Sequence, residues 1–141
     1  MTGVVIDAST ALAWCFPDER SDYADAVLVA LDGKTILVPA VWSLEIANAV
    51  LVGERKKRLR QPEILRFTTL LQNLSVIEDV RPVGGHVANV LPLARQYSLS
   101  AYDAAYLELS IRHSAPLATL DEKLEKAARQ ARVKIFSGKD S

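Results

Sequence analysis

The chain has 141 residues, half of them hydrophobic, which is the usual size of one compact domain. Its 17 basic and 17 acidic residues cancel, which excludes a general attraction of the whole protein to polyanions, so any nucleic-acid site must be local. The sequence contains no run of about 18 uncharged apolar residues and no secretory signal at its start. We therefore expect a cytoplasmic protein without a membrane segment, forming one domain over residues 1–141 with a loose tail at 138–141.

Short apolar runs alternate with segments of helical period along the chain. The first strand, Thr2–Ile6, leads into a helix that ends at Phe16, because Pro17 cannot continue it. The later elements are predicted as helix 21–32, strand 35–38, helices 40–57 and 61–74, strand 75–80, helices 86–97 and 101–113, strand 116–120, helix 122–131 and strand 133–136.

This alternation predicts an α/β fold, with a single domain and a parallel sheet of about four to five strands flanked by helices on both faces. Pro39 is assigned to the first turn of the helix after the second strand, and Gly84–Gly85 to a break before the helix at His86. In such sheets the C-terminal ends of the strands lie at one edge, and ligands bind there.

Four acidic residues stand in apolar surroundings, whereas the other thirteen are expected to be solvated. Asp7 and Asp121 each follow the apolar end of a strand, Glu45 lies about two turns into a helix, and Asp103 lies near the start of another. No Lys or Arg lies within four residues of Asp7, Glu45 or Asp103. We expect all four to be partly buried and to converge at the ligand-binding edge.

Buried carboxylates without partners cost several kcal/mol, so a cation is expected among them. An all-oxygen set without Cys or His favours a hard divalent ion, Mg²⁺ or Mn²⁺. Asp7, Asp103 and Asp121 are the predicted ligands, with Glu45 bound directly or through water. The alternative is helix capping by the three aspartates, with Ser100 and Asp103 in a capping-box pattern, but capping does not explain Glu45.

Four segments are similar to a known family. They are Val4–Ser9, Ser43–Ala49, Ser100–Tyr106 and Ala118–Asp121. They resemble the PIN-domain family, in particular the VapC toxins of bacterial and archaeal toxin–antitoxin pairs, over nearly the whole chain and with all four acidic motifs in order. The resemblance implies a magnesium- or manganese-dependent endoribonuclease that cuts RNA, forms a homodimer and is held inactive by a VapB-like antitoxin. It also implies that Asp7, Glu45, Asp103 and Asp121 are the catalytic residues.

Further residues are predicted to support this site. Ser9, Thr119 and Asn48 would orient the carboxylates without being the main ligands. A basic run near the end of the Glu45 helix would contact RNA phosphates or the antitoxin, or else is a solvated helix end whose cations complement the helix dipole. The residues of this run that would make the contact are Arg55, Lys56 and Arg58.

Two rival functions remain open. A phosphatase of the haloacid-dehalogenase type also places an Asp after its first strand, but it needs a second Asp two residues later, where this chain has Ser9. A non-catalytic module could use the same acidic pocket to hold a cation or a basic peptide. His86 and His113 lack ligand spacing and are expected to be structural or exposed, and the apolar stripe of Val87, Val90, Leu91 and Ala94 is expected to be core.

Overall fold

A parallel sheet lies at the centre of the protein. The structure is a computed structural model that describes residues 3–138. The strands are β1 Gly3–Ile6, β2 Thr35–Pro39, β3 Val76–Asp79 and β4 Leu117–Ala118. They lie in the order β3-β2-β1-β4, and each neighbouring pair is parallel.

Helices connect and cover these strands. They are α1 Ala8–Ala13, α2 Asp22–Ala30, α3 Val41–Arg55, α4 Gln61–Asn73, α5 Val83–Tyr97, α6 Ala101–His113 and α7 Glu122–Gln130, with a 3₁₀ turn at Pro17–Glu19. All four residues of β1 are buried, and successive strand residues point to opposite faces, so both faces of the sheet are covered. The predicted α/β fold is confirmed. Within residues 3–138, no helix is long and apolar enough to cross a membrane.

The helix α6 is the centre of the core. Its residues Ala104–Ser110 are all buried, and it contacts β1, β2 and β4. The fully buried side chains of Ile6, Leu107 and Leu117 belong to this core. Because α6 is buried on several sides, its polar residues are carried into the interior. One of them, Glu108, is only 6% exposed, which corrects the expectation that it is solvated.

Several boundaries differ from the prediction. Pro39 is the last residue of β2, in register with Asp79, because a residue without an N–H is tolerated at a strand end. The helix α5 begins at Val83, so Gly84–Gly85 lie in its first turn, where N–H groups lack partners within the helix in any case. The predicted last strand shrinks to a single bridge between Ile135 and Leu117, since β4 has only two residues to pair with.

The ends of the chain and the α5 stripe also differ from the expectations. Val90 is buried, but Val87 and Leu91 are exposed, because α5 turns only one side towards α6. Gly138 is half-buried against Ala26. The rest of the predicted tail, 139–141, and the first residue of the predicted first strand lie outside the described residues.

The strand order places one switch point in the sheet. Strands β1, β2 and β3 add in one direction, whereas β4 lies on the other side of β1. The chain connections therefore diverge between the C-terminal ends of β1 and β4, which is where open α/β sheets form a crevice for ligands. Asp7 directly follows β1, and Thr119 directly follows β4.

Candidate functional site

Asp7 is the most buried acid at the switch point, with 4% of its surface exposed. The Ser9 hydroxyl donates to both of its oxygens at 2.8 Å, and the Thr10 N–H and hydroxyl both donate to Oδ1 at 3.0 Å. The Thr119 hydroxyl donates to Oδ2 at 2.5 Å. Burial raises the pKa of Asp7, and these hydrogen bonds partly oppose that rise. Neutral donors thus fix this carboxylate in place.

The segment after β4 is tied to the same point by two hydroxyls. The Thr119 hydroxyl that donates to Asp7 also accepts the N–H of Asp121 at 2.9 Å. The Ser9 hydroxyl accepts the N–H of Leu120 at 3.0 Å. Ser9 and Thr119, which were predicted to orient the carboxylates, therefore link Asp7 directly to the turn that carries Asp121.

The aspartates also have capping contacts. Asp7 caps α1 by accepting the Thr10 N–H, and Asp121 caps α7 by accepting the N–H groups that follow it. The Ser100 hydroxyl caps α6 by accepting the Asp103 N–H at 3.1 Å. The described hydrogen bonds include no return contact to the Asp103 carboxylate, so only half of the predicted capping box is formed. Capping and clustering were considered as alternatives in the sequence, but a residue that caps a helix beginning at the switch point is also at the site. The two interpretations are therefore compatible.

Glu45 reaches the site from α3, where it is half-buried. The hydroxyl of Tyr106 on α6 donates to its Oε1 at 2.5 Å. This contact joins the helix of Glu45 to the helix of Asp103 at one point.

The charges of the other three acids act on Asp103. Its pKa is raised, first by burial and then by the negative charges of Asp121, Asp7 and Glu45. The described ion pairs do not include any of these four acids. We call these four residues the acidic cluster: acidic groups gathered at the switch point, where the described side-chain donors to Asp7 and Glu45 are neutral hydroxyls.

The chemistry of the acidic cluster fits a hard divalent cation, because its donors are all carboxylate oxygens and their repulsion falls when a cation enters. As the side chains stand, no group of three or more His, Cys, Asp or Glu residues within 3–138 is arranged to hold an ion. The oxygens of Asp7 are engaged by hydroxyls, and Oε1 of Glu45 is engaged by Tyr106. An ion would therefore replace a hydroxyl contact of Asp7, whereas it would reach Oε2 of Glu45 while the Tyr106 hydroxyl still holds Oε1.

Other predicted residues lie apart from the cluster. Asn48 is exposed on α3, and the described hydrogen bonds do not connect it to the acids. Arg58 pairs with Asp18 at 2.8 Å and Glu19 at 2.6 Å, and its guanidinium lies 4.3 Å from the centre of the Phe16 ring.

The other two predicted contact residues of the basic run, Arg55 and Lys56, are exposed at the end of α3. Arg55 is ten residues beyond Glu45, or about 15 Å along the helix axis. The structure therefore places the basic run at some distance from the acidic cluster.

A cleft of about 880 Å³ lies beside the acidic cluster, and Thr119 is one of the residues that line it. Tyr23 on α2 forms part of its wall, and its hydroxyl donates to the Phe136 carbonyl at 2.5 Å. Burial raises the pKa of Tyr23 to about 12. The charged residues of the cleft are Glu122, Glu125, Arg129, Arg132 and Lys134. These cations lie nearer in sequence to Asp121 than the 55–58 run does.

The match to a known family decides what this arrangement belongs to. The model of the PIN domain matches residues 4–130, which include all four acids and both hydroxyls. The chain belongs to the PIN-domain family. The resemblance drawn from the acidic motifs is thereby confirmed, and the phosphatase alternative is set aside because position 9 carries the Ser hydroxyl that holds Asp7.

Relatives with names agree with this membership. Ribonuclease VapC3 of Pyrobaculum aerophilum is 30% identical over 122 residues, covering 86% of this PIN-domain chain and 91% of that protein. The crystal structure of PAE2754 from Pyrobaculum aerophilum matches with a TM-score of 0.67 and 22% identity, over 89% of this chain and 79% of the other.

Two further solved structures share the fold. VapBC2 of Rickettsia felis, bound to a DNA fragment from its promoter, matches with a TM-score of 0.67 and 13% identity, over 96% of this chain and 98% of the other. FitAcB of Neisseria gonorrhoeae matches with a TM-score of 0.58 and 17% identity, over 96% and 97%. These likenesses confirm the PIN-type α/β fold.

Two tyrosines at this PIN-domain site, Tyr106 and Tyr23, were not predicted from the sequence. Tyr106 was included only in the segment around Asp103, and no role was predicted for Tyr23. A signal for Tyr106 was present, since it lies three residues after Asp103, and side chains three apart on a helix share a face. No local pattern points to Tyr23, whose partner Phe136 lies 113 residues away.

Proposed function

We propose that this PIN-domain protein is a divalent-metal-dependent endoribonuclease that hydrolyses RNA phosphodiester bonds with its acidic cluster, and that it is the toxin of a toxin–antitoxin pair. The observation that supports this most strongly is Asp103, whose pKa is raised first by burial and then by the charges of three other carboxylates at the switch point. A fold gains no stability from such repulsion, so a ligand that relieves it is expected.

Each residue of the acidic cluster has a role in the proposal. Asp7, Asp103 and Asp121 hold the ion, and Glu45 holds it directly or through water. Bound there, Mg²⁺ or Mn²⁺ would supply Lewis-acid activation of water and of the scissile phosphate. The hydroxyls of Ser9 and Thr119 keep Asp7 aligned with the turn of Asp121. No side chain of the chain is required to attack phosphorus.

The RNA substrate is supported by the name of the relative Ribonuclease VapC3. The cleft beside Thr119 gives the strand a path away from the acidic cluster. Arg129 and Arg132 would contact its phosphates, and Arg129 is 63% exposed although it pairs with Glu125 at 2.9 Å. Cations placed beside the acids offset the repulsion between the acidic cluster and a polyanion.

The partners follow from the same relatives. The similar structures include VapBC2 bound to a DNA fragment and FitAcB. Because the acidic motifs resemble those of the VapC toxins, a VapB-like antitoxin is the proposed inhibitor. A toxin of this kind meets its RNA in the cytoplasm, where the proposal places the protein.

A homodimer is proposed on the exposed apolar side of α5, where Val83, Val87 and Leu91 are 80%, 50% and 42% exposed. Val87→Lys is expected to shift the purified protein to a monomer in light scattering. An unchanged mass would remove this face from the interface.

The test is cleavage of a mixed cellular RNA pool by partner-free protein with Mg²⁺ or Mn²⁺, against EDTA and an Asp7→Ala control. Metal-dependent cuts at discrete sites that vanish in Asp7→Ala are expected. Folded, partner-free protein that binds Mn²⁺ but cuts no RNA in either metal would replace the nuclease by a binding module.

A further inference from the structure

Tyr106 is the largest fully buried side chain of the protein, with 1% of its surface exposed. It lies on α6, one turn after Asp103. A buried tyrosine usually gives its hydroxyl a hydrogen-bond partner, and here that partner is an acid of the cluster. The ring packs in the core while the hydroxyl reaches the site.

The hydroxyl meets two elements of the site. It donates to Oε1 of Glu45 on α3 at 2.5 Å. The Ala8 N–H, next to Asp7 at the start of α1, also interacts with it and lowers the pKa of Tyr106, against the larger opposite effects of burial and of Glu45. One hydroxyl therefore stands between the segments that carry Asp7 and Glu45.

Glu45 depends on this contact more than the aspartates depend on theirs. Asp7 accepts from three side chains and one backbone N–H, and Asp121 accepts from two backbone N–H groups. Glu45 has a longer side chain with more rotamers, and in the described residues its carboxylate accepts from Tyr106. Without the hydroxyl, the half-buried glutamate is free to turn towards solvent.

We propose that Tyr106 is a positioning residue whose hydroxyl holds the Glu45 carboxylate at the metal site. The inference rests on the proposed function for the identity of the ion but not on RNA cleavage. The helix α6 would then contribute to the site in two ways, because it carries Asp103 and also Tyr106, whose hydroxyl orients Glu45 on α3. Partners that orient a ligand typically change metal affinity or activity by about 10- to 100-fold.

The variant Tyr106→Phe removes the hydroxyl and keeps the buried ring. Direct titration with Mn²⁺, followed by the loss of the free-ion electron paramagnetic resonance signal, is expected to show about 10-fold weaker binding or more. In RNA cleavage, kcat should fall by about 10- to 100-fold. KM for RNA should stay nearly unchanged, because Tyr106 is buried and does not line the cleft. Tyr102→Phe is the matched control, because Tyr102 lies on the same helix and is 61% exposed.

A double-variant comparison separates positioning from packing. In a Glu45→Ala background, Tyr106→Phe should weaken Mn²⁺ binding no further, because the group that it positions is gone. A structural role would give the same loss in both backgrounds. Circular dichroism of each variant establishes that it is folded, and Glu45→Gln, which keeps an acceptor for the hydroxyl, serves as a second probe of the contact.

The Mn²⁺ titrations decide whether Tyr106 positions Glu45. Weaker Mn²⁺ binding in folded Tyr106→Phe but not in the Glu45→Ala background supports the inference, even if the wild type cleaves no RNA. Wild-type Mn²⁺ affinity in Tyr106→Phe overturns it, as does a loss that persists in the Glu45→Ala background. A wild type that binds no Mn²⁺ also overturns it, whereas the nuclease proposal is judged by RNA cleavage.

Discussion

Two groups of acids in this protein share the helix α6 but have opposite surroundings. The acidic cluster includes Asp103 near the start of the helix, where burial and then the charges of three other carboxylates raise the pKa of Asp103. The second group, which we call the paired cluster, joins α6 to the end of β3 and consists of Asp79, Arg81, Glu108 and Arg112. There, Arg112 lowers the pKa of Asp79.

In the paired cluster, the buried acid Glu108 forms ion pairs with two arginines. Glu108 accepts from Arg112 Nε at 2.8 Å and from Arg81 at 3.3 Å, and Arg112 also bonds to Asp79 at 2.5 Å. Fork-shaped pairing of this kind holds helix and strand together. The two clusters do not differ in burial, since Glu108 and Asp7 are similarly buried. They differ in the charge of the neighbouring residues, and the proposal that the acidic cluster is the functional one rests on that difference.

The largest expected effect is on catalysis in the acidic cluster. Asp7→Asn should reduce metal-dependent RNA cleavage by at least about 1,000-fold, because it removes the charge of the most buried acid. The same variant should raise the melting temperature of the metal-free protein by a few degrees, since burial already disfavours that charge. A clear drop in the metal-free melting temperature would contradict the picture of crowded, repelling acids.

The next effect is on stability in the paired cluster. Glu108→Gln leaves Arg81 and Arg112 without their shared carboxylate, and should lower stability by about 1–3 kcal/mol, a figure reduced because both arginines are about a quarter exposed. Urea unfolding measures this loss. RNA cleavage well below the melting temperature should stay within about twofold of wild type, and a large loss of kcat would erase the distinction between the clusters.

A third effect is a pair of opposite pH dependences. The folded-state pKa of Asp103 is raised above 3.8, so its favourable contribution is present at low pH and is lost as pH rises through that pKa. The pKa of Asp79 is lowered, so its contribution is present at neutral pH and is lost as pH falls through that pKa.

In EDTA at neutral pH, Asp103→Asn should therefore stabilise the protein and Asp79→Asn should destabilise it. Both differences should shrink near pH 3, where the carboxyl groups are protonated to a larger extent. Denaturant unfolding at the two pH values measures both stability changes. If the two variants shifted stability in the same direction at neutral pH, the proposed difference between the two clusters would be wrong.

The smallest expected effect concerns the substrate path. Replacing Arg129 and Arg132 with Ala should weaken RNA binding and reduce the slope of log affinity against log salt by about 1.4, at about 0.7 for each lost phosphate contact. The matched variant replaces Arg55 and Lys56 in the same way, and its slope should stay unchanged because those residues lie away from the acidic cluster. The reverse result would return the RNA contact to the basic run.

The sequence allowed the acidic cluster to be predicted because its signals are local. Asp7 and Asp121 follow apolar strand ends, and parallel strands bring such ends to one edge. Glu45 stood out because it lies inside an apolar helix, beyond the reach of any cap. The strand order that makes this edge a switch point came only with the structure.

The paired cluster was missed for the opposite reason. Glu108 and Arg112 have the i,i+4 spacing of an ordinary surface pair, so the glutamate looked solvated. Its burial depends on the packing of α5 against α6 and on Arg81, which lies 27 residues away. Arg58 is a similar case, because its partners Asp18 and Glu19 lie about 40 residues away in the chain. Pairings over such distances leave no periodic pattern to read.

We expect a divalent cation at the acidic cluster and not at the paired cluster. The most direct test is the thermal shift caused by Mn²⁺ in wild type, Asp103→Asn and Asp79→Asn. An excess of about 100-fold over the dissociation constant should stabilise a binding protein by about 2.7 kcal/mol. We expect this shift in wild type and in Asp79→Asn, and its loss in Asp103→Asn. An equal shift in all three proteins, or a shift lost only in Asp79→Asn, would contradict it.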